Sequence, residues 1–186
     1  MKQFIFSLAC LCFITACFAQ PNPTELAKSP MEMSYLPPNY PLMKINGKAK
    51  EAPTARVIYC RPQKKGREIF GGLVKYNENW RLGANEATEI EFFKPVTIAG
   101  TAVAQGKYTL YCIPTATKWT IILSKDNYTW GNYAYDAKND VLRTDIPVTK
   151  NDKVIEAFTM YFEDAKPGAN LIMLWDDVKA SLTIGL

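Results

Sequence analysis

Histidine is absent from all 186 residues, and that gap closes several chemistries. Without imidazole there is no Ser-His-Asp or Cys-His catalytic pair, and no histidine-built zinc or iron site. Serine is scarce too: past the first nineteen residues only Ser29, Ser34, Ser124 and Ser181 occur. None sits in a nucleophile elbow and no glycine-rich phosphate loop accompanies them, so serine hydrolase and nucleotidase readings fail. Charge of one sign is also missing. Lysine plus arginine numbers 22 against 18 acids, a net +4 that gives no nucleic-acid footprint. Asp136, Asn139, Asp140 and Asp176-Asp177 are hard-oxygen donors without the spacing of a calcium loop, and read as turn and cap residues. No metal and no cofactor is expected.

Long apolar runs are confined to the start. Lys2, an apolar stretch from Phe4 to Ile14 and small residues near the exit read as an export signal covering residues 1–19. Cleavage after Ala19 is the favoured reading. The alternative is lipoprotein processing at Ile14-Thr15-Ala16-Cys17, with a lipid on Cys17 as the only link to a membrane. Either way the expected location is outside the cytoplasm, in the periplasm or tethered at the outer membrane. Cys10, Cys12 and Cys17 lie in this leader, so the remainder keeps only Cys60 and Cys112. In an oxidising compartment these either form a disulfide or stay as two buried thiols.

The remaining chain is long enough for one domain and too short for two ordinary ones. From residue 20 to 54 it carries seven of the twelve prolines with scattered apolar residues, which predicts an extended arm partly docked on the domain. Residues 55–186 change character. Short runs rich in β-branched and aromatic residues alternate with Gly, Pro, Asn and Asp, the pattern of an all-β fold. The expectation is a single β-sandwich of about eight or nine short strands, at 56–61, 87–93, 96–98, 107–113, 118–124, 141–148, 154–162, 170–175 and 179–184. Alternation puts Trp119, Ile121 and Leu123 on the core side of their strand. Leu171 to Trp175 is apolar in both parities, as in a central strand buried on both faces.

Three stretches carry binding chemistry. Trp80-Arg81-Leu82-Gly83-Ala84-Asn85-Glu86-Ala87-Thr88 sets an indole, a guanidinium, a carboxamide and a carboxylate around a glycine, where a loop feeds a strand. Trp80, Arg81, Asn85 and Glu86 are its candidate ligand contacts. Glu86 is either a general acid or base or half of an ion pair with Arg81. Glu89 and Glu91 share one strand face and read as solvated. A loop from Arg61 to Gly72 brings Arg61, Lys65 and Arg67 as candidate ligand contacts, and its arginine forks fit a ligand oxyanion or an acid of the fold such as Glu86. Tyr128 to Tyr135 holds four aromatics around Gly131, with Trp130 and Tyr133 suited to a sugar or another flat ligand, or else to sealing a sandwich end.

Taken together, Tyr59-Cys60-Arg61-Pro62, Lys65-Gly66-Arg67, Ile69-Phe70-Gly71, Trp80-Arg81, Gly83 to Thr88, Gly106 to Pro114, Trp130-Gly131 and Tyr135-Asp136 through Arg143 resemble one family. It is the domain of unknown function numbered 2911, found mostly in exported proteins of Gram-negative bacteria. The resemblance runs from about Ser29 to the C-terminus and implies no activity, cofactor or catalytic residue. Where the family has a serine and a small residue, this chain has Cys60 and Cys112, and that matched departure favours the disulfide. The expected function is a β-sandwich that binds a small molecule, a glycan or an envelope protein. An enzyme using Glu86 on an envelope glycan, and a structural or assembly role, are the alternatives.

Overall fold

The structure is a computed structural model that describes residues 25–186. The stretch read as an export signal, both processing alternatives and Cys17 lie outside the described residues. Ten elements carry the backbone besides a single 3₁₀ turn at Ala137–Asn139: β1 (Met31–Leu36), α1 (Tyr40–Ile45), β2 (Ala55–Cys60), β3 (Thr88–Phe92), β4 (Val96–Ile98), β5 (Thr101–Val103), β6 (Gly106–Pro114), β7 (Lys118–Ser124), β8 (Asp140–Asp164) and β9 (Ala169–Gly185). The fold is all-β. Its nine strands form one antiparallel sheet in the order β1-β2-β3-β6-β7-β8-β9-β4-β5.

Two long strands double this sheet over on itself. At about 3.3 Å per residue, the 25 residues of β8 would reach roughly 80 Å if straight, far beyond the width of a domain this size. The strand bends instead, at register shifts between Lys150 and Ile155 and between Ile155 and Thr159. Residues 140–147 of β8 pair with β7, and from Val148 onward, across the bend, β8 pairs with β9. The second half thereby returns against β1 and β2. The Tyr59 hydroxyl donates to the Met160 carbonyl (2.9 Å), Arg61 Nε to the Phe158 carbonyl (3.1 Å), and the Phe162 amide to Ser34 Oγ (3.3 Å).

One core fills the space between the halves. Val57, Ile90, Phe92, Leu110, Trp119, Ile121 and Leu123 meet Phe158, Met160, Phe162, Leu171, Met173 and Trp175 there. The expected inward trio of β7 is buried as alternation requires. Ile122, on the opposite face, is covered by a small second cluster with Ala87 and Tyr111. Ile172 is 1 % exposed on the outer side of β9, so that strand is buried on both faces as its composition suggested.

Strand lengths differ from expectation. The runs at 141–148 and 154–162 are halves of β8, and those at 170–175 and 179–184 are halves of β9. The gap left between the expected strands at 149–153 and the Asp176-Asp177 pair read as turn residues both sit at the bend of the hairpin, where Asp176 takes a positive φ of 55°. The proline-rich segment also has more structure than an extended arm. Its proline-free window Met31–Leu36 is the edge strand β1, and Pro41 occupies the first turn of α1, where a missing amide proton costs nothing.

The disulfide expectation is overturned: Cys60 and Cys112 are both free and buried. β3 lies between their strands, which separates them by about two strand spacings, roughly 9–10 Å. A disulfide requires about 7 Å or less between Cα atoms. They also face opposite ways, Cys112 into the core and Cys60 outward beside Glu86.

Candidate functional site

Residues 77–88 leave the β6 ladder and rejoin it, making a tight excursion. Trp80 exchanges backbone hydrogen bonds with Cys112 (2.7 and 2.8 Å), and the Thr88 amide donates to the Arg81 carbonyl (3.1 Å). Thr88 Oγ1 donates to the Leu82 carbonyl at 2.6 Å, and Trp80 Nε1 to the Gly83 carbonyl at 3.2 Å. Gly83 passes so close to β2 that a Cβ there would sit 2.9 Å from the Cys60 carbonyl oxygen.

Trp80 belongs to the core. Its ring stacks on Trp175 (5.9 Å, 20°) and meets Trp119, Phe158 and Phe70 edge to face at 5.8, 5.2 and 6.0 Å. Phe70 arrives from the 61–74 loop and also touches Trp119 at 5.2 Å, so this loop plugs one end of the doubled sheet. The loop's charges are held within the fold. Arg61 pairs with Glu32 and donates to Thr159 Oγ1, while Lys64 pairs with Asp176. Lys65 turns at φ 48°, with its amide on Glu156 Oε1 at 2.8 Å and its side chain exposed. Arg67 donates to the Lys64 and Gln63 carbonyls.

Among the described residues Glu86 pairs with none of the arginines expected for it. It makes no ion pair with Arg81, the acid that meets Arg61 is Glu32, and Arg67 is held on the Lys64 and Gln63 carbonyls. The excursion reverses between the two positions: Arg81 lines one cavity beside the plug, and Glu86 lines another on the outer face of β2 and β3.

That outer cavity, of about 300 Å³, has Ile58, Cys60 and Ala87 among its lining residues, with Met31, Glu86, Glu89 and Tyr128 around them. The aromatic loop is fastened beside it by backbone hydrogen bonds: Ala87 N to Thr129 O (3.0 Å) and Gly131 N to Asn85 O (2.9 Å). The Asn85 backbone carbonyl is thus part of this seam, and Glu86 and Trp130 form an antiparallel bridge. Behind the loop Tyr111 packs on Tyr135 (5.0 Å, edge to face) and bonds Thr129 Oγ1 at 3.0 Å. In front, Tyr128, Trp130 and Tyr133 stand 82, 61 and 85 % exposed. Gly131 has φ +69°, and a Cβ there would meet the Tyr133 ring at 2.9 Å, so the turn that presents these rings favours glycine.

Electrostatics tune the rim. Glu89 pairs with Lys107 (3.3 Å) and accepts the Tyr128 amide at 3.2 Å, and Lys107 Nζ lies 4.6 Å from the centre of the Tyr128 ring. Burial works against the Lys107 charge, but the hydrogen bond and attraction to Glu89 outweigh it and raise its pKa. Burial, reinforced by Glu86, also pushes the Cys60 thiol up, and the Glu86 carboxylate accepts its weak hydrogen bond at 3.7 Å. A thiol so placed is a poor nucleophile. Met31, Ile58 and Lys107 entered no sequence reading of the site, because only the pairing of β1, β2, β3 and β6 brings them here. Glu89 gave a faint signal as one of two acids on a single strand face.

A larger open groove of about 700 Å³ runs between α1 and β2, but Arg56 on its wall is already paired with Glu91 at 2.6 Å. No helix among the described residues is long and apolar enough to cross a membrane.

The doubled sheet, the aromatic plug and the fastened aromatic loop define a class: an all-β module that displays a surface cavity beside exposed rings. The chain belongs to the family described as protein of unknown function (DUF2911), whose model matches residues 41–184. No curated protein and no solved structure matches it.

Proposed function

We propose that the protein is an exported binding module of the cell envelope that takes a glycan in the cavity rimmed by Glu86, Glu89 and Tyr128, with Trp130 and Tyr133 as stacking platforms. One observation carries this reading: three large aromatic side chains are exposed on a single loop that is itself fixed by backbone hydrogen bonds. Burying any one of them would contribute about 1.5–3 kcal/mol, so leaving three in water calls for a role that burial would abolish. Sugar rings offer apolar faces to stack on aromatics, and their hydroxyls donate to carboxylates such as Glu86. The leader-like residues 1–19 support an envelope location.

The test is calorimetric titration of the purified protein with β-linked hexose and N-acetylhexosamine oligosaccharides. Binding is expected, weakened about tenfold or more by Trp130→Ala and by Glu86→Gln with melting temperatures unchanged. Failure of the whole panel to bind sinks the glycan reading. Appearance of cleaved sugars that vanishes in Glu86→Gln would convert the module into a carboxylate-dependent enzyme, with Glu89 as the second acid at the same cavity.

A further inference from the structure

The chain has five arginines, and three of them are matched to acids: Arg56 to Glu91, Arg61 to Glu32 and Arg143 to Asp140. The other two, Arg67 and Arg81, have no carboxylate partner among the described residues, and both line one cavity of about 240 Å³. It opens beside the plug, on the other side of the motif excursion from Glu86. Its remaining walls include Ser29, Leu73, Trp80 and Trp175, and no aspartate or glutamate lines it.

Arg81 Nε is buried with no hydrogen-bond partner. The side chain as a whole is half-buried, but a donor nitrogen left without an acceptor is costly, and among the buried side-chain atoms without a partner it is the one whose residue lines this cavity. Arg67 is oriented rather than neutralised: Nε and one terminal nitrogen are spent on the Lys64 and Gln63 carbonyls, which fixes the fork and keeps the charge. Two arginines at an acid-free cavity attract an anion, and planar forks match the paired oxygens of a carboxylate or a phosphate; the indole and aliphatic walls select the carboxylate, which brings a carbon body to cover them. The volume falls below the usual range for drug-sized ligands, and the walls are indole and aliphatic. We infer that this cavity binds a small organic carboxylate, its oxygens toward Arg67 and Arg81 and its few-carbon body against Trp80, Trp175 and Leu73. This site is independent of the glycan reading, since it shares neither cavity nor ligand with it.

Calorimetric titration of the purified protein with propionate, succinate and benzoate, against phosphate and chloride at matched ionic strength, decides the matter. At least one carboxylate is expected to bind where phosphate and chloride do not. Arg81→Gln and Arg67→Gln should each weaken it about tenfold or more, while Trp130→Ala leaves it unchanged. Should Arg81→Gln fail to fold, Arg67→Gln decides, because that side chain is exposed and hydrogen-bonds only to backbone carbonyls. The inference is overturned if no carboxylate binds, if phosphate binds equally well, or if the arginine variants bind like the parent.

Discussion

Trp80 and Trp130 are the same residue type on two sides of one excursion, and the fold treats them oppositely. Trp80 is 7 % exposed and touches four other aromatic rings; Trp130 is 61 % exposed, on a loop fastened to that same excursion. The backbone between them turns over at Leu82 to Asn85, where Leu82 (φ 51°) and Asn85 (φ 57°) both take left-handed conformations. A sequence motif can therefore serve two masters: its first half closes the core and its second half builds a rim. Trp80→Ala should break this contrast most violently, with a loss of about 3–5 kcal/mol in urea denaturation. Trp130→Ala should stay within about 0.5 kcal/mol of the parent. Equal losses would mean that the exposed loop is part of the structural frame.

Gly83→Ala attacks the hinge between the two halves. The added methyl meets the Cys60 carbonyl at 2.9 Å, so either the excursion or β2 must shift. A loss of about 1–3 kcal/mol is expected, with a changed Cys60 environment because that carbonyl and the thiol belong to one residue. Thiol labelling followed by peptide mass spectrometry gives the second readout. In the parent Cys112 should not react with iodoacetamide at neutral pH until the protein is unfolded, since it is enclosed in the core and burial raises its thiol. Cys60, raised by burial and by Glu86 at the floor of the outer cavity, should react far more slowly than a free thiol. Recovery of a linked Cys60–Cys112 peptide would overturn the opposite-face placement.

The two halves were unequally legible from sequence. Trp119, Ile121 and Leu123 could be placed inside because period-two alternation is a local property. Trp80 could not: it sits in an irregular segment, and its burial depends on Phe70, Phe158 and Trp175 arriving from three other parts of the chain. Arg81 and Glu86 looked like neighbours at five residues' distance, yet the left-handed residues between them send them to different cavities. Edge strand β1 was hidden by proline density around a proline-free window of six residues. The bend in β8 was legible as polar residues but not as continuity, because a bulge and a turn share the same composition.

Alkaline titration tests the buried side against its surroundings. Desolvation raises the Tyr59 hydroxyl to about 12, and desolvation with Asp140 raises Tyr135 to about 12. Both folded values exceed the ordinary 10.0, so the fold favours the neutral phenols. Their contribution is fully present below pH 10 and is lost as pH rises through about 12. Phenolate absorbance should show the buried Tyr59 hydroxyl ionising together with unfolding, whereas half-buried Tyr135 ionises with the fold intact. Early ionisation of Tyr59, with the fold intact, would mean that the contact between β2 and the second half of β8 is open to water.

The gentlest probe separates charge from hydrogen bonding on the rim. Glu89 does two things, pairing with Lys107 and accepting the Tyr128 amide, and Glu89→Gln removes only the first because the carboxamide oxygen still accepts. The pair is partly exposed, with side chains 28 and 19 % accessible, so its stability effect should be about 0.2–1 kcal/mol and should shrink in high salt. Lys107 loses its anchor over the Tyr128 ring, and the loop should respond locally through faster exchange of the Tyr128 amide while Trp80 and the core stay protected. Faster exchange throughout the core would show that the rim and the aromatic plug form one cooperative unit, and that the excursion couples its two sides rather than dividing them.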